Sequence, residues 1–319
     1  MRKTTLSPQS APVTFADAVD RFQRRCAAKN LSDSTRAYYG FHLTALMRYL
    51  DTHAPTVAPA EVTPDVLRGF ITHRLQVSAV TAYHSLLTLR VFFGFLVKDG
   101  TLAENPATDL DPVRRKRPLI PTFSPDQITA LLAACQGKAF HDVRDRALLM
   151  LLLDTGLRAS ELCTLRLENI DWTECTVTVW GKGGKQRAVP FGEATRQTLL
   201  PYLDRRGELG TPMVFVTCYG DPLTRRRLQT IIHNRGTQAK IARVRCSPHT
   251  FRHTFAVMYL RNGGDVFSLQ KLLGHSDLTM TRRYAELSDT DVREKHRTYS
   301  PGDRFLDAVK PVTKRQRLR

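Results

Sequence analysis

Four short stretches in the second half of the chain carry side chains that could act together on a phosphodiester. "TGLRASEL" holds Arg158 just after a glycine-ended helix, with Glu161 one turn on. "WGKGGKQR" puts Lys182 and Lys185 at the tip of a β-hairpin. "HTFRH" sets His249 and Arg252 three residues apart, hence on one helix face. "LGHSDLTMTRRY" gives His275 beside a glycine, with Tyr284 nine residues later. Phosphodiester cleavage without a metal needs cationic donors around the non-bridging oxygens, a nucleophile, and a proton donor for the leaving alkoxide. These patches contain residue types suited to each of those tasks.

Each patch taken singly also supports a plainer reading. Arg158 after a helix end could be a surface cation, and a lysine in a glycine-rich hairpin is most often a solvated turn. GKGGK lacks the G-x-x-x-x-G-K-[ST] spacing of a nucleotide-phosphate loop. His249 and His253, one helical turn apart, have the spacing of a zinc pair. The acidic residue of H-E-x-x-H is missing, however, and no third ligand is evident. His253 reads better as a packing residue or one that supports the site from behind. Of nine tyrosines, only Tyr284 follows L-G-H at this distance.

Taken in order, the patches resemble the tyrosine recombinases, the lambda-integrase-like family that includes the Xer recombinases. That family's pattern is T-G-x-R-x-x-E-L, a hairpin lysine, H-x-x-R, L-G-H, and a tyrosine about nine residues on. All five elements match here, at Arg158, Lys182, His249 with Arg252, His275 and Tyr284. The resemblance implies that Tyr284 attacks the scissile phosphate to form a 3′-phosphotyrosyl link. It also implies that Arg158, Arg252 and His275 bind the non-bridging oxygens, and that His249 accepts the tyrosine proton. Lys182 would protonate the 5′-oxygen and Glu161 would orient the site; Lys185 lies near enough to compete with Lys182 and is otherwise expected to touch DNA. No metal and no cofactor are expected. One departure is Ala285-Glu286 after the tyrosine, where many relatives carry a histidine two residues beyond it.

The elements that must position these groups fall into two sets. Residues 1–113 read as a helical domain: Thr14 to Lys29, Ser32 to Leu50, Thr63-Pro64 to about Gln76, and Ser78 to Lys98, each opened by capping residues. Residues 114–121 read as a basic linker, with Arg114, Arg115, Lys116 and Arg117 placed to cross a phosphate backbone. Residues 122–299 read as the catalytic domain and 300–319 as a basic tail. In the catalytic domain a buried helix from Asp142 to Leu153 ends at Thr155-Gly156, and a two-residue period then marks strands at 169–172, 176–180 and 186–190. Helices dominate again from Glu193 to about residue 297. The expected class is mostly α with a small antiparallel β-sheet: an N-terminal helical core-binding domain before a mixed α/β recombinase domain.

The bulk properties agree with a nucleic-acid enzyme. The chain has 319 residues and a formal charge of +18. Residues 1–113 hold 12 Lys/Arg against 10 Asp/Glu, and residues 114–319 hold 36 against 20, so the excess sits with the candidate site. Such an excess favours a polyanion. The six cysteines are scattered, as in a reducing compartment. The N-terminal stretch has no apolar signal core, and the longest apolar run, 147–153, is far too short to span a bilayer. The expected setting is a bacterial-type cytoplasm, in association with the nucleoid and without a membrane.

The expected partner is double-stranded DNA carrying an inverted-repeat core site. It would be bound by a synaptic tetramer of identical subunits, or of this chain with a paralogous recombinase. Residues 287–300 are the candidate segment for docking on a neighbour. The expected task is integration or excision of a mobile element, or resolution of replicon dimers, with a lean toward the former. Two alternatives are a type IB topoisomerase-like nicking and closing enzyme and a catalytically silent DNA-binding regulator.

Overall fold

In the computed structural model, the described residues are 13–55, 57–114, 121–181 and 184–275, together with Thr281, Arg282, Tyr284, His296, Ser300 and Pro301. The chain divides into two compact units, Met1–Pro118 and Leu119–Arg319.

Unit 1 is a bundle of four helices: α1 (Phe15–Ala28), α2 (Asp33–His53), α3 (Pro64–Leu75) and α4 (Ala79–Lys98). Thr14, Ser32, Thr63 and Ser78 cap them, each accepting a hydrogen bond from a backbone N–H three residues on. Those caps satisfy donors that a helix start otherwise leaves open. Phe22, Leu43, Leu46, Leu67, Phe70, Leu89, Phe92 and Phe93 fill the centre. Phe22 meets Phe92 edge-on at 5.5 Å. α4 is long and apolar enough to cross a membrane by length and composition alone, but half of its most apolar stretch is buried within the bundle. A polar cluster penetrates this core: His42 Nδ1 lies 3.0 Å from Ser85 Oγ, which also accepts from Arg74 Nε at 3.3 Å. Burial, and then the Arg74 charge, push the His42 imidazole down to about 4.

Unit 2 contains α5 (Pro125–Ala133), α6 (Phe140–Thr155), α7 (Ala159–Cys163), strands β1 (Ile170–Asp171), β2 (Thr176–Trp180) and β3 (Gln186–Pro190), then α8 (Glu193–Arg206), α9 (Arg225–Gln238), α10 (Pro248–Arg261) and α11 (Val266–Leu273). The strands form one antiparallel sheet in sequence order, with Val179 opposite Arg187. α6 is the hub, packed against α8 and α10, with Leu148, Leu149, Leu151 and Leu152 fully enclosed. Its polar N-terminal turns enter the core through a paired network: Asp145 accepts from Arg144 at 2.7 Å and from Arg235 at 2.7 Å, and Asp142 accepts from Arg235 at 2.9 Å. Mutual pairing is what makes burial of these charges tolerable.

Two features differ from the sequence expectation. The first strand shrinks to Ile170–Asp171, because Asp171 Oδ1 accepts the N–H groups of Thr173 and Glu174 and turns the chain. Helix does not continue through 207–224. That stretch contains Gly207 and Gly220 at positive φ and forms isolated bridges from Met213 to Arg166 and from Val216 to Pro222.

Candidate active site

The site is assembled on two glycines that end helices. α6 stops at Gly156, whose φ of 59° is left-handed, and a Cβ there would overlap the Phe255 ring. Two residues later Arg158 occupies the N-cap position of α7, and its backbone N–H donates to Glu161 Oε2 at 2.8 Å. α11 stops at Gly274, with φ 63°. Three arginines from three different elements meet this second end. Arg187 Nε (β3) donates to the Leu272 carbonyl at 2.7 Å, Arg252 Nη2 (α10) to Leu273 at 2.6 Å, and Arg158 Nη2 to Gly274 at 3.1 Å. The last carbonyls of a helix lack internal partners and carry partial negative charge, so this end can hold like charges together. Arg252 also donates from Nη1 to the Gly156 carbonyl at 2.8 Å, which ties both glycine turns to one guanidinium.

Glu161 lies beneath this group with a nearly inaccessible side chain. Arg187 grips both of its oxygens, at 2.7 and 2.8 Å, while Arg158 Nη1 donates to Oε1 at 2.8 Å. Burial works against ionisation of Glu161, but the hydrogen bonds from Arg187 and Arg158 outweigh it and hold the carboxyl at about 2. Burial, followed by the neighbouring Arg158 charge, brings Arg252 down to about 10, still protonated at neutral pH.

His275 follows the α11 turn directly. Its Nδ1 lies 3.0 Å from Thr281 Oγ1. Burial, then Arg252, Arg158 and Arg187, push its imidazole down to about 4, so it is neutral near pH 7 and offers one donor and one acceptor. Tyr284 is buried against α10 and α11, among Phe255, Val257, Leu260, Leu269 and Leu273. Its hydroxyl sits 2.6 Å from His253 Nδ1, and its ring stacks 6.3 Å from that of His275.

His249 lies exposed in the first turn of α10, on the same helix as Arg252. Lys185 is exposed at the base of the hairpin tip, where its carbonyl accepts from Gly181 N–H at 2.8 Å. Arg114 is exposed at the end of the first unit's described chain. Lys182, Arg115, Lys116 and Arg117 lie outside the described residues, as does most of the proposed docking segment 287–300. Among the described residues, no group of three or more His, Cys, Asp or Glu side chains is placed to hold a metal ion.

Comparison with known proteins assigns the family. Residues 121–291 match the phage integrase family, and residues 19–100 match the phage integrase N-terminal SAM-like domain. The chain belongs to the phage integrase family of tyrosine recombinases. It is 33% identical over 275 residues to tyrosine recombinase XerC of Anoxybacillus flavithermus, covering 83% of this chain and 91% of that one. It is 34% identical over 229 residues to tyrosine recombinase XerD of Staphylococcus aureus, covering 70% and 77% respectively. Among solved structures, a lambda integrase tetramer bound to a Holliday junction shares the fold with a TM-score of 0.70 at 19% identity, covering 86% of this chain and 78% of that one. As a tyrosine recombinase the protein is an enzyme that cleaves and rejoins DNA.

Two further residues of the recombinase lie beside the motif groups. His253 supports the site as its sequence position suggested, with Nδ1 against the Tyr284 oxygen, while His249 is exposed one turn earlier on α10. Arg187 was not singled out at all. Its signal was strand parity: it shares a face of β3 with the buried Val189, so a charged residue there had to find a buried partner.

Proposed function

We propose that this recombinase works through a covalent 3′-phosphotyrosyl intermediate. The Tyr284 oxygen forms the new bond to phosphorus, and the bond from phosphorus to the 5′-oxygen breaks. The phenolic proton passes to His249, and Lys182 supplies the proton that the departing 5′-oxygen takes up. Arg158 and Arg252 bind the non-bridging oxygens with planar, permanently charged forks, a task suited to guanidinium. His275 adds a neutral donor, and Glu161 holds Arg158 in position. The observation that carries this reading is the convergence of Arg158 and Arg252 on adjacent carbonyls at the end of α11, next to His275.

The enclosed position of Tyr284 belongs to a resting arrangement in this reading, since a phenol buried against α10 and α11 must leave that seat to reach phosphorus. We further propose that the substrate is a duplex core site with inverted repeats, recombined within a tetramer, and that the protein serves a mobile element or plasmid. Arg114 to Arg117 and Lys185 would contact phosphates, and residues 287–300 would dock on a neighbouring subunit. The test is a nicked suicide substrate, on which the unsubstituted protein should accumulate a covalent adduct mapping to Tyr284. Tyr284→Phe should bind the same DNA and form none. An adduct at Tyr259 or Tyr299 would overturn the assignment.

A further inference from the structure

Arg187 makes more polar contacts within the candidate site than any function so far given to it requires. It binds both oxygens of Glu161 and the Leu272 carbonyl, and it is almost wholly enclosed. It also fills the space beside Gly274: a Cβ on that glycine would lie 3.2 Å from Arg187 Cδ and 3.2 Å from its Nη1. Its Nε and both Nη nitrogens already donate to Leu272 and Glu161, which commits it to protein partners rather than to a phosphate. Its effect must pass through its partners.

The charges define that effect. Three guanidinium groups, Arg158, Arg187 and Arg252, surround one carboxylate, Glu161. Were Arg187 absent, Glu161 would pair with Arg158 alone and cancel most of its field. A phosphodiester gains negative charge on its non-bridging oxygens as the nucleophile adds, so cancellation at Arg158 would be felt most in the transition state. With Arg187 taking both carboxylate oxygens, Glu161 can aim Arg158 through Oε1 while its charge is balanced from the other side.

We infer that Arg187 is a positioning residue for DNA cleavage: by neutralising Glu161 from beneath, it lets that carboxylate orient Arg158 without quenching the charge that Arg158 presents to the scissile phosphate. This rests on the phosphate-binding role proposed above for Arg158. The hairpin also gains a function, because β3 thereby links the tip that bears Lys182 to the α7 and α11 turns.

The test measures single-turnover adduct formation on two suicide substrates, one with an ordinary scissile phosphate and one with a methylphosphonate, which carries one negative charge fewer. Thermal melting and DNA binding monitor folding. Removing a donor that touches the transition state costs about 10² to 10³-fold; Arg187→Gln, acting indirectly, should slow the ordinary substrate by about tenfold or more. Its deficit should shrink on the methylphosphonate, because less charge develops there. Adding Glu161→Gln to Arg187→Gln removes the uncompensated carboxylate and should restore part of the lost rate. Arg187→Lys keeps the charge but loses the bidentate fork, so its rate should fall between those of the parent and Arg187→Gln.

Equal losses on both substrates, or a double variant no faster than Arg187→Gln, would make Arg187 a plain structural brace and overturn the inference. If Arg187→Gln does not fold, Arg187→Lys decides: a folded lysine variant whose loss is equal on the two substrates also overturns it. Failure of the underlying reading looks different, since the unsubstituted protein would then form no Tyr284 adduct on either substrate.

Discussion

At the scale of single residues, protonation is the most accessible test of the site's environment. An imidazole in an unfolded chain titrates near 6.5, whereas His275 and His42 in the folded protein titrate at about 4. Between those values the unfolded chain holds more protons, so stability should fall as pH drops from about 6.5 toward 4. Glu161, held at about 2, adds a second loss as pH falls from about 4.5 toward 2. Urea unfolding of the full chain across pH 7 to 4 measures the first window, and His275→Asn should reduce its slope while the His42 contribution remains. A profile that is level from 7 to 4 in the unsubstituted protein would place both imidazoles in water. The motif residues Arg158, Arg252, His275 and Tyr284 were legible because their types and order are distinctive. Arg187 was not, since its importance lies in which groups it meets after folding; His253 was legible as a supporting residue, though not as the partner of the Tyr284 oxygen.

At the scale of elements, local chemistry was readable where it is written beside the element it controls. Thr14, Ser32, Thr63, Ser78 and Ser124 each cap the helix that follows, and Gly156 ends α6 as its position suggested. The irregular stretch 207–224 was harder to foresee, because its two bridges pair residues with partners chosen by tertiary packing. Gly156 gives the prediction at this scale. Alanine there would adopt a left-handed φ at a cost of about 1 kcal/mol and press on Phe255, with overpacking adding about 1 to 3 kcal/mol. The Gly156 carbonyl is also an acceptor for Arg252, so Gly156→Ala should lower both Tm and the rate of adduct formation. A variant that melts like the parent would show that the α6 end can relax without strain.

At the scale of the whole molecule, positive charge is concentrated in the second part of the chain. Residues 114–319 carry 36 Lys/Arg against 20 Asp/Glu, and the site's arginines account for only a few of them. Duplex affinity should therefore depend steeply on salt. If about six to ten phosphates are neutralised, it should fall by about 10³ to 10⁵-fold between 50 and 200 mM salt. Fluorescence anisotropy of a labelled core-site duplex measures this, and a nearly flat dependence would remove phosphate contacts as the main source of affinity. The charge excess is legible from composition alone, whereas which of those cations meet phosphates depends on the fold.

The end of α11 has a consequence for which mutations the chain can absorb. The groups that receive Arg187, Arg252 and Arg158 are consecutive main-chain carbonyls, and a carbonyl is the same whatever side chain its residue bears. Exposed positions of α11 such as Phe267 and Lys271 are therefore free to vary without disturbing the cations. Length is a different matter. Each residue inserted or deleted turns the helix by about 100° and shifts its end by about 1.5 Å, which would present the wrong carbonyl to all three arginines at once. At the exposed positions of this helix substitution should be tolerated where a single-codon insertion or deletion is not.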